Sequence, residues 1–130
     1  MRLLLDTHIF LWYIASDPRL SIETRSVVDD IKNEVYLSVA SVWEAVVKNA
    51  LGKLPFPSPP SEYLPLQRNA HGIFSLPIDE GVMPYLACLP ALHRDPFDRV
   101  IVAQALQYGL TIVTVDADVR CYPVPVFPPV

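Results

Sequence analysis

The acids of this sequence stand where carboxylates could gather around a hard cation. Asp6 closes the apolar run Leu3-Leu4-Leu5. In an open α/β sheet, ligands bind beyond the carboxyl ends of the strands, so an acid ending the first strand is placed for function. The same residue also suits the N-cap of a helix starting at Thr7. Glu44 lies within Ser41-Val42-Trp43-Glu44 and is flanked by further apolar residues through Val47. A carboxylate buried there needs a partner. The spacing equally matches a capping box with Ser41 at the N-cap, and Lys48, four residues on, offers a surface ion pair. Asp95-Pro96-Phe97-Asp98 puts two acids in one helix start, where both suit the positive end of the helix dipole. Asp116 follows Leu110–Thr114, with Asp118 close behind as the alternative ligand or a turn residue.

Each acid, taken singly, has a structural role available. Together they follow the first and last apolar strands and open the helices between. Carboxylate oxygens suit Mg²⁺ or Mn²⁺. Such ions activate water, stabilise a leaving oxygen and clamp a phosphodiester. Several like charges in one site repel unless a cation neutralises them. The residues alone therefore point to metal-assisted phosphate chemistry.

The elements that must position these acids are legible as alternating strands and helices. Arg2–Leu5 reads as a buried strand. A helix through Ile14 ends before Asp17-Pro18, and Ser21 caps a second helix to about Lys32. Val35–Ser38 is a second strand. Ser41–Leu51 is a third helix, stopped by Gly52. Pro55–Pro60 is a stiff proline-rich connector, followed by a helix over Glu62–Ala70 and a strand over Ile73–Leu76. A further helix, led by Ser75 or Asp79, runs to about Cys88. Asp95 at the N-cap and Pro96 at the first turn open a long helix to Tyr108, which Gly109 ends. Leu110–Val115 is a fourth strand. The proline-rich tail from Tyr122 allows an edge strand at most. This alternation predicts one α/β domain over residues 1–130, with a mainly parallel sheet covered on both faces.

The chain of 130 residues is long enough to bury a core without staples. Its 52% hydrophobic content argues against disorder. No apolar run is long enough to span a membrane, and Asp6 stands too early for a signal peptide. Two cysteines, Cys88 and Cys121, are too few for a disulfide framework and suit a reducing cytoplasm. A net charge of −4 runs against a general nucleic-acid binder, which is usually basic. A bound divalent ion inverts the local field and weakens that objection.

His8, His71 and His93 are too scattered to form a metal cluster. Arg94 and Arg99 flank the acids, as phosphate contacts or as residues that solvate or pair the helix start. Trp12, Tyr13 and Trp43 read as core or interface residues rather than base-stacking platforms. No Gly-rich phosphate loop is present.

Five segments, in order and over nearly the whole chain, resemble the PIN-domain family. They are Leu4-Leu5-Asp6-Thr7-His8, Ser38-Val39-Ala40-Ser41-Val42-Trp43-Glu44, Leu51-Gly52-Lys53-Leu54, His93-Arg94-Asp95-Pro96-Phe97-Asp98-Arg99 and Ala103-Gln104-Ala105. The segment around Asp95–Asp98 is the most specific. The match is nearest to the VapC toxins of toxin–antitoxin pairs. The resemblance implies a three-layer α/β/α sandwich and RNA cleavage dependent on Mg²⁺ or Mn²⁺. It assigns Asp6 and Asp98 as metal ligands, Glu44 as a ligand or a base acting through water, and Asp116 as the fourth acid. Val115 stands where the family often has Arg or Asn, which leaves Asp116 and Asp118 as alternatives. Thr7 is implied as a supporting hydroxyl, and a homodimer neutralised by a cognate antitoxin as the assembly. Two other readings compete. One is a phosphohydrolase with Asp6 as nucleophile, against which His8 stands where a second Asp is usual. The other is a PIN-fold binding module without activity.

Overall fold

A computed structural model of the chain describes residues 1–92 and 95–129. His93 and Arg94, singled out above, lie outside the described residues. Five strands form one sheet in the order β3-β2-β1-β4-β5, and every pairing is parallel. They are β1 (Arg2–Leu5), β2 (Glu34–Ser38), β3 (Phe74–Leu76), β4 (Thr111–Val113) and β5 (Val126–Phe127). The helices are α1 (Thr7–Ile14), α2 (Ile22–Asp29), α3 (Val39–Ala50), α4 (Pro60–Ala70), α5 (Met83–Cys88) and α6 (Pro96–Tyr108).

The strand residues dictate the layering. Side chains alternate across a sheet, and in β1 all three leucines are buried because both faces are covered. Leu3 and Leu5 join Ile9, Phe10, Ala45 and Leu64 in the core under α1 to α4. Leu4 faces the other way, with Ile101, Val102 and Ala105 of α6. The sheet thus lies between two helical layers, as expected of a three-layer α/β/α sandwich.

The tail forms an edge strand beside β4, consistent with its prolines. Most other boundaries move by a residue or two. β4 stops at Val113 instead of Val115, because Thr114 turns its hydroxyl to accept the Asp116 N–H at 3.0 Å. The proline-rich connector is shorter than expected, since Pro60 is the first residue of α4, where a missing N–H costs nothing. Asp79 leads a short 3-10 turn before α5, but its carboxylate binds Gln107 and Tyr108 at the end of α6 instead of capping. α6 starts on Asp95, whose carboxylate accepts from Phe97 and Asp98 N–H, and ends on Gly109 at φ 66°. That left-handed conformation is one that glycine adopts without steric cost.

The capping-box reading of Glu44 fails. α3 is capped three residues earlier, by Ser38, whose hydroxyl accepts the Ala40 N–H. Ser41 is inside the helix, so Glu44 is a helix-interior residue with no cap to make.

Candidate active site

The strand order turns over between β1 and β4. β2 and β3 lie on one side of β1, and β4 and β5 on the other. Such a switch point leaves a crevice at the carboxyl edge of the sheet. Asp6 sits at it. Its N–H donates to Val113 O at 3.0 Å, which ties the end of β1 to the end of β4.

Asp6 caps α1 and stands at the switch point, so its capping role leaves it where a site acid is expected. Its Oδ1 accepts the Thr7 N–H at 2.8 Å, at the start of α1. Its Oδ2 accepts the Thr114 hydroxyl at 2.6 Å. Burial raises the Asp6 pKa. The hydrogen bonds from Thr114 and Thr7 oppose the shift, and the charges of Asp116 and Glu44 add to it.

Glu44 reaches the same region from α3 and is 2% exposed. The Thr7 hydroxyl lies 2.7 Å from its Oε1 and 2.9 Å from Ser41 Oγ. One hydroxyl carries one proton, so Thr7 donates to the carboxylate while Ser41 donates to Thr7. Glu44 Oε2 accepts from Lys48 Nζ at 2.5 Å. The Thr7 hydroxyl thus holds one oxygen of Glu44 in place.

Asp98 enters from the N-terminus of α6. Burial, then the charges of Asp6, Asp95, Glu44 and Asp116, push its pKa up to about 8. Desolvation and neighbouring like charges both disfavour the ionised carboxylate. Asp116 completes the group from the loop after β4. It is exposed, and its Oδ1 accepts the N–H groups of Asp118 and Val119 at 2.8 and 3.2 Å. Asp116 is among the charges that raise both Asp6 and Asp98. Asp118 supplies the turn that holds it.

The available donors are carboxylates, which suit a hard divalent ion. Among the described residues, no three acid, histidine or cysteine side chains close into a tight ligand cage. The carboxylates are held apart on their own protein partners. Mg²⁺ tolerates this, because it keeps several waters and takes one or two protein carboxylates. An ionised carboxylate accepts about four hydrogen bonds, so Asp6 and Asp116, each with two hydrogen bonds to the protein, retain acceptor capacity.

Sequence reasoning singled out the four acids and read Lys48 as a surface partner of Glu44, but missed Thr114 as a partner of Asp6. A threonine directly before a loop acid was the available signal for Thr114. Arg99 does not face the acids: its Nη1 donates to Pro90 O at 2.9 Å and to Tyr122 Oη at 3.1 Å. His8 packs edge-on to Trp12, and His71 binds Gln67 O and packs on Tyr13, so these two histidines serve separate places. Tyr13 belongs to the core, whereas Trp43 is 53% exposed and packs edge-on against Phe97.

Comparison with known proteins identifies the family. The PIN-domain model matches residues 3–123. Ribonuclease VapC16 of Mycobacterium tuberculosis is 41% identical over 59 residues, which cover 45% of this chain and 42% of that protein. Ribonuclease VapC22 of the same organism is 27% identical over 120 residues, 92% of this chain and 90% of that protein. The crystal structure of VapBC2 from Rickettsia felis, bound to a DNA fragment from their promoter, superposes with a TM-score of 0.72 at 16% identity, covering 97% of each chain. A family match over nearly the whole chain, on a parallel sheet with acids at its switch point, means that this chain belongs to the PIN-domain family.

Proposed function

We propose that the chain is a divalent-metal-dependent endoribonuclease and the toxin of a toxin–antitoxin pair. The observation that carries the reading is the gathering of Asp6, Glu44, Asp95 and Asp116 around half-buried Asp98, where burial and then these four charges push the carboxyl pKa up to about 8. Such a site gains most from a cation. RNA as substrate is supported by the similarity to ribonucleases VapC16 and VapC22.

Asp6, Asp98 and Asp116 would hold Mg²⁺ or Mn²⁺, with Glu44 adding negative charge from α3. When bound, the ion supplies positive charge for the phosphodiester and lowers the pKa of water. The protein's own residues do the positioning. Thr114 fixes one oxygen of Asp6 and the Thr7 N–H fixes the other. Asp95 anchors the first turn of α6 and so the base of Asp98. Asp98 would have to lose its proton to serve as a ligand. The phosphohydrolase reading is disfavoured by His8, which stands where a second Asp is usual.

A cognate antitoxin as partner is supported by the fold shared with VapBC2. A homodimer is supported by an apolar stripe on α3: Val39, Trp43, Val46 and Val47 are 36 to 53% exposed and recur at helical spacing. No helix among the described residues is long and apolar enough to cross a membrane. A cytoplasmic location is part of the same proposal.

Expression of the chain alone in a bacterial host tests this reading. Growth should stop and RNA should fragment, while Asp6→Asn and Asp98→Asn variants should do neither. Growth arrest with intact RNA would contradict it.

A further inference from the structure

We propose that Lys48 is a resident cation of the acid site, which keeps Glu44 out of the ligand set, so that the site takes one divalent ion rather than two. The inference rests on the metal-site reading above and specifies how many ions that site holds.

The Lys48–Glu44 pair spans one helical turn, and an exposed pair of that kind contributes only a few tenths of a kcal/mol. This pair is different. The Glu44 side chain is 3% exposed and that of Lys48 33%. Nζ lies 2.5 Å from Oε2, and Thr7 occupies Oε1 at 2.7 Å. Both oxygens of Glu44 are thus bound within the protein, one of them by a full positive charge. Lys48 also faces the rest of the site. Burial works against its charge, but the Glu44 hydrogen bond and the charges of Glu44, Asp95 and Asp98 outweigh it.

Two-metal phosphodiesterase sites hold their ions about 3.5–4 Å apart. A second ion on Glu44 would have to displace the ammonium or sit against it, and the two cations would repel. The ammonium already supplies positive charge there, on a covalent tether.

Calorimetric titration of the purified protein with Mn²⁺ alone tests the inference. Wild type and Lys48→Arg should each bind one ion. Lys48→Met should bind two, because Glu44 is released with its charge uncompensated. The double variant Lys48→Met/Glu44→Gln should return to one. Lys48→Met that binds one ion with wild-type affinity overturns the inference, as does a wild type that binds two. A wild type that binds none overturns the metal-site reading itself, and the inference with it. Should Lys48→Met not fold, Glu44→Gln decides. It should keep one ion with affinity within about threefold, whereas a loss of tenfold or more, the range seen when the support of a metal site is removed, would make Glu44 a ligand and sink the proposal.

Discussion

Thr114 and Asp6 stand 108 residues apart in sequence and meet through a 2.6 Å hydrogen bond from Thr114 Oγ1 to Asp6 Oδ2. Both residues are buried. The same Thr114 oxygen accepts the Asp116 N–H, so one hydroxyl links two of the site acids. Thr114→Val keeps the shape and removes the donor. Loss of a hydrogen bond to a buried charged group should cost about 1–3 kcal/mol in urea denaturation. Thr114→Ser should recover most of that loss. Equal stability of the Val and Ser variants would show that the hydroxyl does not hold Asp6.

Asp98 sets a pH dependence whose sign is fixed by its raised pKa. The unfolded carboxyl ionises near its ordinary 3.8, the folded one at about 8. Between these values the folded state binds the extra proton, so stability falls as pH rises through the window and levels off above it. Metal-free wild type should therefore melt higher at pH 5 than at pH 8, and Asp98→Asn should flatten the part of that slope due to Asp98. Mn²⁺ competes with the same proton, so its affinity should climb with pH up to about 8. A wild type and an Asp98→Asn variant with parallel melting profiles would contradict this assignment.

Gln104 joins the element that carries Asp98 to the elements that carry Glu44. It is wholly buried on α6, accepts from Ser38 Oγ at 2.5 Å and donates to Pro77 O at 3.0 Å. Ser38 in turn caps α3. Gln104→Leu fills the space but strands a buried hydroxyl, at a cost of about 1–3 kcal/mol. Because α6 then loses its tie to the start of α3, Mn²⁺ affinity should fall as well. A loss of stability with unchanged Mn²⁺ affinity would limit Gln104 to packing.

The stripe on α3 predicts a change of assembly. Trp43→Glu places a charge at its most exposed aromatic. If α3 pairs with a second copy, the variant should elute as a monomer where wild type elutes as a dimer, with an unchanged circular dichroism spectrum. Wild type that elutes as a monomer at all concentrations would contradict the pairing.

Local signals were the legible part of this chain. Asp95-Pro96 marked the start of α6 and Gly109 its end, because capping chemistry is confined to a few consecutive residues. The parallel sheet followed from strand–helix alternation for a similar reason. Glu44 shows where local reading fails. Ser41 and Glu44 have capping-box spacing, yet α3 begins at Val39 because Ser38 reaches Ala40 first. Two serines competed for one cap, and tertiary packing chose. The Thr114–Asp6 bond was beyond local reading, since it exists only because β4 lies beside β1. Lys48 was seen as a partner of Glu44, but its depth and its view of the acids depend on how α3 packs against the sheet and α6.

The central claim is that these acids cut RNA through a divalent ion. Its most direct measurement is cleavage of a structured RNA by the purified chain with Mn²⁺, with EDTA, and with Asp98→Asn in place of wild type. The account predicts fragments with Mn²⁺ and wild type only, lost on chelation and restored by added Mn²⁺. Fragments that persist in EDTA, or that Asp98→Asn produces at the wild-type rate, would contradict it.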